Sequence, residues 1–445
     1  MDIKLFNSLT DRIETFVPLK PNEVSIYVCG PTVYGDPHIG NLRPVVVFDV
    51  LRRFFLFLKY KVTFVSNYTD VDDKIINRAI SEQKSEDEIA GRYIKAFNEV
   101  ISHVNALTPD IAPRVTEHIS DIILYIEELV DKGSAYVVDG DVYFRVSSIS
   151  NYGELSNVDI DDLISGARIE ENSKKESPLD FVLWKKTIVG INWNSRWSNG
   201  RPGWHTECCV MINSLFPNGK IDIHGGGFDL KFPHHENEIA QSKAHNGNLI
   251  ANYWMHNGFI NFGEDKMSKS LGNVVLAKDI IEKFGGNLIR LVLLGTYYRS
   301  PLTFSFEAME TAKIELEKIE NAYRQLAVAL QLKNIPLFDG QNPEIEPFLK
   351  CLADDLNTPN AITEVFAIIK KANAALRQKD VDYSMLRQLL SNIGAMLEIL
   401  GLKMEFPILS EEDKKTHADY LKHKTDKNFA ESDRLRQILM AKHIL

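Results

Sequence analysis

The sequence predicts an α/β fold, a parallel sheet covered by helices, followed by an all-helical region. Two patterns carry this. At the start of the chain, short β-rich apolar runs alternate with a helical period. From Phe306 onward, apolar residues recur at alternating three- and four-residue steps. A chain of 445 residues has room for two or three domains.

EVSIYV (23–28) reads as a short buried strand ending at Cys29-Gly30. A helix is expected from about Asn41 to Leu58, with Leu42, Val45 and Val46 on an apolar face and Asp49, Arg52 and Arg53 on a polar one. KVTFVSN (61–67) is the next strand, so the order strand–helix–strand predicts parallel pairing. The region near 110–200 is less regular. It holds a helix over Val115–Lys132, a hairpin-like pair around Asp139-Gly140 in YVVDGDVYFRV (136–146), and the polar stretch EENSKKESPLD. These read as an insertion in a larger domain. KIDIHGGG (220–227) restores the α/β pattern. In the last region, Met309, Ala312, Leu316, Ile319, Tyr323 and Leu326 form one stripe, and Leu386, Leu389, Leu390, Ile393 and Met396 another. Helices with such stripes pack as a bundle, and the main boundary is expected near residue 306.

Hydrophobic content of 44% and charged content of 25% allow a large core without staples. The four cysteines (Cys29, Cys208, Cys209, Cys351) are too few for a secreted disulfide framework. MDIKLFNSLTDRIE lacks an apolar signal region, and no run of about 18 apolar residues follows. A cytoplasmic protein without membrane contact is expected. The net charge of −10 argues against a generally basic, polyanion-binding surface, although a local patch suffices for such binding.

Three stretches carry chemistry. PTVYGDPHIGN (31–41) lies between the first strand and first helix. It puts His38 and Gly40 where free N–H groups and the helix dipole favour an anion. A plain Pro/Gly turn is the structural alternative, and no GxxxxGK[ST] phosphate loop exists in the chain. KMSKSLGN (266–273) places Lys266 and Lys269 on a cationic loop suited to a polyphosphate as charge develops. FPHHENEIAQS (232–242) spaces His234 and Glu238 by four, on one side of a helix starting near His234. In HGGGFD, Gly225, Gly226 and Gly227 would let a flat ligand approach the backbone, with a glycine-rich strand-to-helix turn as the equal alternative for any one of them, and Asp229 can accept ribose hydroxyls.

HIGN resembles the HIGH signature of the class I aminoacyl-tRNA synthetases, and KMSKS is identical to their second signature. Within that class YVCGPTVYGDPHIGN, NYTDVDDK, GRPGWHTECC, DIHGGGFDLKFPHHENEIAQS and KMSKSLGN resemble the cysteinyl-tRNA synthetases, over Asn7 to about Leu439. The resemblance implies a Rossmann-type catalytic domain (1–114 and 201–264) split by a connective insertion (115–200). A stem-contact segment with the KMSKS loop (265–305) and a helical anticodon-binding domain (306–445) would follow. It implies cysteine–tRNA ligation through cysteinyl-adenylate, with ATP and Mg2+, L-cysteine and tRNA(Cys) as partners of a monomer. His38, Lys266 and Lys269 would be catalytic; Gly40, Asn41, Gly227, Asp229 and Lys269 would bind ATP; Gly30, Thr69 and Trp204 would line the cysteine pocket. One Zn2+ per chain would be held by Cys29, Cys208, His234 and Glu238, donors that suit zinc. Cys209 competes with Cys208, because sequence does not orient a Cys-Cys pair. His235, Glu236 and Asn237 would support the site. Asn41 stands where HIGH has its second histidine and can still donate to phosphate. The chain ends at KHIL, ahead of the tail the resemblance implies.

Rival readings fit less well. A zinc hydrolase would want HExxH, but Ile239 occupies the last position. A paralogous ligase joining cysteine to a small amine would lack the bundle, of which about 140 residues remain here. A non-catalytic RNA-binding protein has no use for KMSKS and the metal-ligand set.

Overall fold

The computed structural model describes residues 1–158, 174–262, 265–266, 275–338 and 343–445, and they form two compact units. One comprises Asp2–Phe284 and Tyr298–Thr303, the other Gly285–Tyr297 and Phe304–Leu445.

The first unit is built on four parallel strands in the spatial order Ala251–Asn257, Ile221–Gly227, Glu23–Val28, Lys61–Ser66. Val24, Ile26, Tyr27 and Val28 are all buried. Such a run suits a strand covered on both faces, where alternation is lost. From this strand the chain first crosses, through the helix Ile39–Phe57, to Lys61–Ser66 on one side. Much later it adds Ile221–Gly227 on the other side. The direction of winding therefore reverses at Glu23–Val28, and a crevice opens beyond the carboxyl ends of the two strands that flank the reversal. Cys29 and Gly227 sit at those two ends.

Along the chain, between the strands Lys61–Ser66 and Ile221–Gly227, lies an antiparallel sheet of five strands. Its first hairpin, Ala135–Val138 with Asp141–Phe144, turns through Asp139 (φ 53) and Gly140 (φ 91). Two left-handed residues match the right-handed twist of the strands they join. This sheet is tied back to the helical layer at Asp73, which receives Lys185 Nζ at 3.1 Å and Arg201. The helix expected over Val115–Lys132 is a single turn at Val115–Glu117 followed by a helix over Ile119–Asp131.

The second unit is helical. Its longest helix, Phe306–Leu332, buries Met309, Ala312, Ile319, Tyr323 and Leu326 on one stripe. Thr358–Leu376 and Tyr383–Leu400 complete the bundle, while Glu411–Thr425 and Phe429–Ala441 pair around Tyr420, Leu435 and Leu439. The helix Gly286–Leu294 also belongs here, ahead of the boundary expected near residue 306. It packs on Phe306–Leu332, and Arg290 reaches the Leu400 carbonyl, folding over Gly401. Gly401 (φ 69) has no room for a Cβ, which would sit 2.2 Å from the guanidinium carbon. No helix among the described residues is long and apolar enough to cross a membrane.

A chain ended at Ser305 keeps the apolar helix Gly286–Leu294 and loses the helix that packs on it. It is expected to aggregate in size-exclusion chromatography. A monodisperse product with cooperative unfolding would contradict this.

Candidate active site and metal centre

Four donors converge where the central strand ends. Cys29 follows that strand, and its N–H donates to the Gly225 carbonyl at 3.1 Å, so neighbouring backbone fixes its position. Cys208 lies in the first turn of the helix Glu207–Leu215. His234 lies in the turn Lys231–His235, and Glu238 in the helix Glu236–Asn246 that continues it. Cys29 Sγ is 3.6 Å from Cys208 Sγ and 3.8 Å from Glu238 Oε1. His234 Nε2 is 3.7 Å from Cys208 Sγ and 2.9 Å from Glu238 Oε1. All four donor atoms lie within 4.8 Å of one another.

These separations fit a tetrahedral ion. Zn–S bonds of about 2.3 Å place two sulfurs about 3.8 Å apart, and mixed edges are somewhat shorter. A second set, Cys29, His224, His235 and Glu238, meets the same distance criterion. Its imidazoles are engaged with one another and with polar neighbours. His235 Nδ1 lies 2.8 Å from His256 Nε2, whose ring reaches Ser8 Oγ at 2.8 Å. His224 Nε2 holds Glu238 Oε2 at 2.6 Å. The first set combines two sulfurs, one nitrogen and one oxygen, and the second backs it.

Electrostatics follow from burial. Burial opposes charge on Glu238, but His224 and His234 beside it hold its carboxyl well below the usual range. Burial likewise opposes charge on His234, and Glu238 and Cys208 overcome it, raising the imidazole to about 10. The hydrogen bond from Cys29 brings Cys208 down to about 6, while burial pushes the Cys29 thiol up. The hydrogen bonds from Cys29 and His234 thus favour the thiolate of Cys208, and an entering cation would displace the protons that the donors hold. Burial drives His205 down to about 3, leaving a neutral ring whose Nδ1 faces His234 Nδ1 at 3.1 Å. That contact orients His234 with Nε2 toward the cluster. Cys209 points elsewhere: its sulfur lies 3.6 Å from the Glu238 carbonyl and 3.8 Å from that of His205.

A cleft of about 460 Å³ opens at the strand ends. Cys29, Gly30 and Trp204 line it, as do His38, Gly40, Asn41, Gly227 and Asp229. Trp204 stacks on His234, with centroids 4.4 Å apart, and remains 42% exposed. Thr69, expected in the cysteine pocket, is buried, and its hydroxyl donates to Glu207 Oε2 at 2.7 Å in the interior. Gly30 is required by its neighbour, because a Cβ would fall 1.6 Å from the Asn67 carbonyl oxygen. Asn67 Oδ1 in turn accepts from Gly30 N at 3.0 Å.

At the phosphate end, His38 begins the helix Ile39–Phe57 in extended conformation, and Asn41 Oδ1 accepts from His38 N at 3.0 Å. Asn41 caps its own helix, so any contact it makes with phosphate comes from its Nδ2 donors. Just after the KMSKS region, Val275 and Ala277 are stitched to this turn. Ile39 N donates to Val275 O at 3.0 Å, and Ala277 N to Pro37 O at 2.9 Å. Lys266 lies in a short strand opposite Asn261, and Lys269 lies outside the described residues.

The three glycines divide by role. A Cβ on Gly225 would strike the Phe48 ring at 2.4 Å, and one on Gly226 would meet Leu230 at 2.9 Å and His235 at 3.0 Å. Both serve packing, so for these two the structural alternative holds rather than the approach of a ligand. Only Gly227 has a flexible neighbour, Asp229 Oδ1 at 2.5 Å, and lines the cleft. Residues that sequence reasoning missed are Asn67, His205, Glu207, His224 and His256. WHTEC and DIHGGG carry three of them, but the partners of each come from elements distant in the chain.

Residues 15–314 match the family described as tRNA synthetases class I (C) catalytic domain, and residues 347–405 match the DALR domain. The chain is 46% identical to a cysteine–tRNA ligase of Brevibacillus brevis over 100% of this chain and 97% of that one. It is 44% identical to one of Anoxybacillus flavithermus with the same coverage. Among solved structures it is similar in fold to a Mycobacterium tuberculosis methionyl-tRNA synthetase in complex with methionyl-adenylate. That match has TM-score 0.62 and 15% identity over 85% of this chain and 89% of that one.

Gly30→Ala should cost about 3 kcal/mol, because the added methyl meets backbone. Gly227→Ala meets only a side chain that can swing away, so it should leave folding intact and weaken ATP binding. Thermal melts and nucleotide titration of both variants check the contrast.

Proposed function

We propose that this chain, which belongs to the class I tRNA synthetases of the cysteine branch, is a cysteine–tRNA ligase. The observation that carries the reading is the donor cluster of Cys29, Cys208, His234 and Glu238, whose Cys29 lines the same cleft as the HIGN turn. In the first step the cysteine carboxylate attacks the α-phosphate of ATP, forming cysteinyl-adenylate and releasing pyrophosphate. In the second, the 3′-terminal ribose hydroxyl of tRNA attacks the acyl carbon and AMP leaves. Neither step needs a protein nucleophile.

The residues bind and orient. The dipole at the start of the helix Ile39–Phe57, with Gly40 and His38, suits the triphosphate, although the Ile39 and Asn41 N–H groups are held by the Val275 and His38 carbonyls. Asp229 suits the ribose hydroxyls, and Gly227 lets the nucleoside approach. Lys266 and Lys269, with Mg2+, would stabilise charge as pyrophosphate departs. Trp204 and the Gly30 backbone would flank the substrate side chain. Cys29, Cys208, His234 and Glu238 would hold one zinc, which when bound offers a soft contact to a thiolate and a poor one to a hydroxyl. Shape alone separates cysteine from serine by only about 1–3 kcal/mol. The helical unit, in which residues 411–445 carry eight Lys/Arg against seven Asp/Glu, would read tRNA. With charge so balanced, aromatic and amide contacts to unstacked loop bases would carry the recognition.

Two measurements test this. Metal analysis is expected to find one zinc per chain, and cysteine-dependent pyrophosphate exchange should far exceed serine-dependent exchange. Equal rates for the two amino acids would refute the discrimination role. Lys269→Ala should cut the adenylation rate by 10²-fold or more, roughly the effect of removing one transition-state donor, with little change in cysteine affinity. An unchanged exchange rate would count against that assignment.

A further inference from the structure

The helix that carries Glu238 is gripped from behind. Glu236 is 1% exposed, and its carboxylate accepts four hydrogen bonds from one short segment of the inserted region. Gly153 N donates to Oε1 at 2.9 Å. Leu155 N, Ser156 N and Ser156 Oγ donate to Oε2 at 3.1, 2.9 and 2.8 Å. On the adjacent residue, Asn237 Oδ1 accepts from the Tyr152 hydroxyl at 2.6 Å. About two turns further along the same face, Lys243 pairs with Glu154. Residues 236 and 243 share a helix face, whereas residue 238 lies about 200° around from 236, at about 100° per residue. The grip and the donor carboxylate therefore occupy opposite sides of one short helix.

A buried carboxylate satisfied by three backbone amides and a hydroxyl is a stiff joint, because losing any donor leaves charge uncompensated in a dry interior. The joint stands two residues from Glu238 and two from His234. Glu236 and Tyr152 make their contacts away from the cluster, whose side-chain neighbours beyond the four donors are His224 at Glu238, His235 at Cys29, Asn67 at Cys208 and His205 at the far nitrogen of His234.

We propose that Glu236 is a positioning residue for the metal. By locking Tyr152–Ser156 of the inserted region onto the first turn of the helix Glu236–Asn246, it sets the spacing between His234 and Glu238 on which divalent metal retention, and so cysteine-over-serine selection, depends. The inference rests on the metal reading above. It makes the inserted region part of the metal site's support, although that region contributes none of the four donors.

The test uses full-length protein loaded with zinc. Release of zinc to a chromogenic chelator is followed for wild type, Glu236→Gln and Tyr152→Phe, alongside thermal melts and separate KM values for cysteine and ATP. Tyr152→Phe removes one hydroxyl and keeps the ring, so it reports even where Glu236→Gln does not fold. Folded variants are expected to release zinc about 10-fold faster or more, the scale seen when an outer partner of a metal ligand is lost. KM for cysteine should rise while KM for ATP holds. A variant with a lowered melting temperature but wild-type zinc release and wild-type cysteine-to-serine selectivity would overturn the proposal and leave Glu236 a fold residue only. Wild-type protein that retains no zinc would instead remove the metal reading on which the proposal stands.

Discussion

Keeping the Glu238 carboxylate charged at 0% exposure is the constraint on which the site depends. An isolated buried carboxylate would simply take up a proton. Here His224 and His234 hold its two oxygens, and both rings are themselves buried. Each must then be oriented by something else. His234 faces neutral His205, and the His224 ring stacks on Trp254 at 4.7 Å. The rings come from a strand end and from the turn ahead of Glu238's own helix. The sheet's register, which sets His224 beside Tyr27 and Trp254, is therefore also what sets the donor distances.

This explains which parts were legible in the sequence. The strand Glu23–Val28 announces itself because a strand covered on both faces loses polar alternation, as in its run Ile26-Tyr27-Val28. The i,i+4 pair His234 and Glu238 is legible because helical geometry alone brings it together. The orientation of Cys208 against Cys209 is not, since adjacent residues of a helix diverge by about 100° and only the packed fold chooses which faces Cys29. The partner of Thr69 was hidden for a similar reason: its hydroxyl has a buried acceptor, Glu207, that is 138 residues away. The helix Gly286–Leu294 escaped assignment to the bundle because every residue from Leu288 to Leu294 except Arg290 is apolar, which hides the stripe that marks a packing face.

Glycine shows the same limit. HGGG reads as three equivalent gaps in sequence, yet a side chain at Gly225 would enter Phe48 on the covering helix, and one at Gly226 would enter His235 behind the donor cluster. Gly227, one step beyond the covered part of the sheet, alone meets the cleft. The run is thus a strand whose last residues approach closely packed neighbours first and ligand only at the tip. Burial depth along the strand, not composition, separates the roles.

The two signature stretches are 228 residues apart, counted from His38 to Lys266, and a phosphate site built from both needs them registered. Registration is achieved through backbone. The antiparallel bridge between His38 and Leu276, with the Ile39–Val275 and Ala277–Pro37 hydrogen bonds, anchors the chain that leaves KMSKS to the turn that starts the first helix. Backbone hydrogen bonds are indifferent to side-chain identity, so the anchor constrains where the lysine loop ends without restricting what the loop carries. At the helix start, Asn41 adds a side-chain cap of the same kind. A histidine at this position could cap through a ring nitrogen, but its geometry would differ from that of a carboxamide. The substitution therefore changes how the turn is braced, while the positive end of the helix dipole remains a property of the backbone.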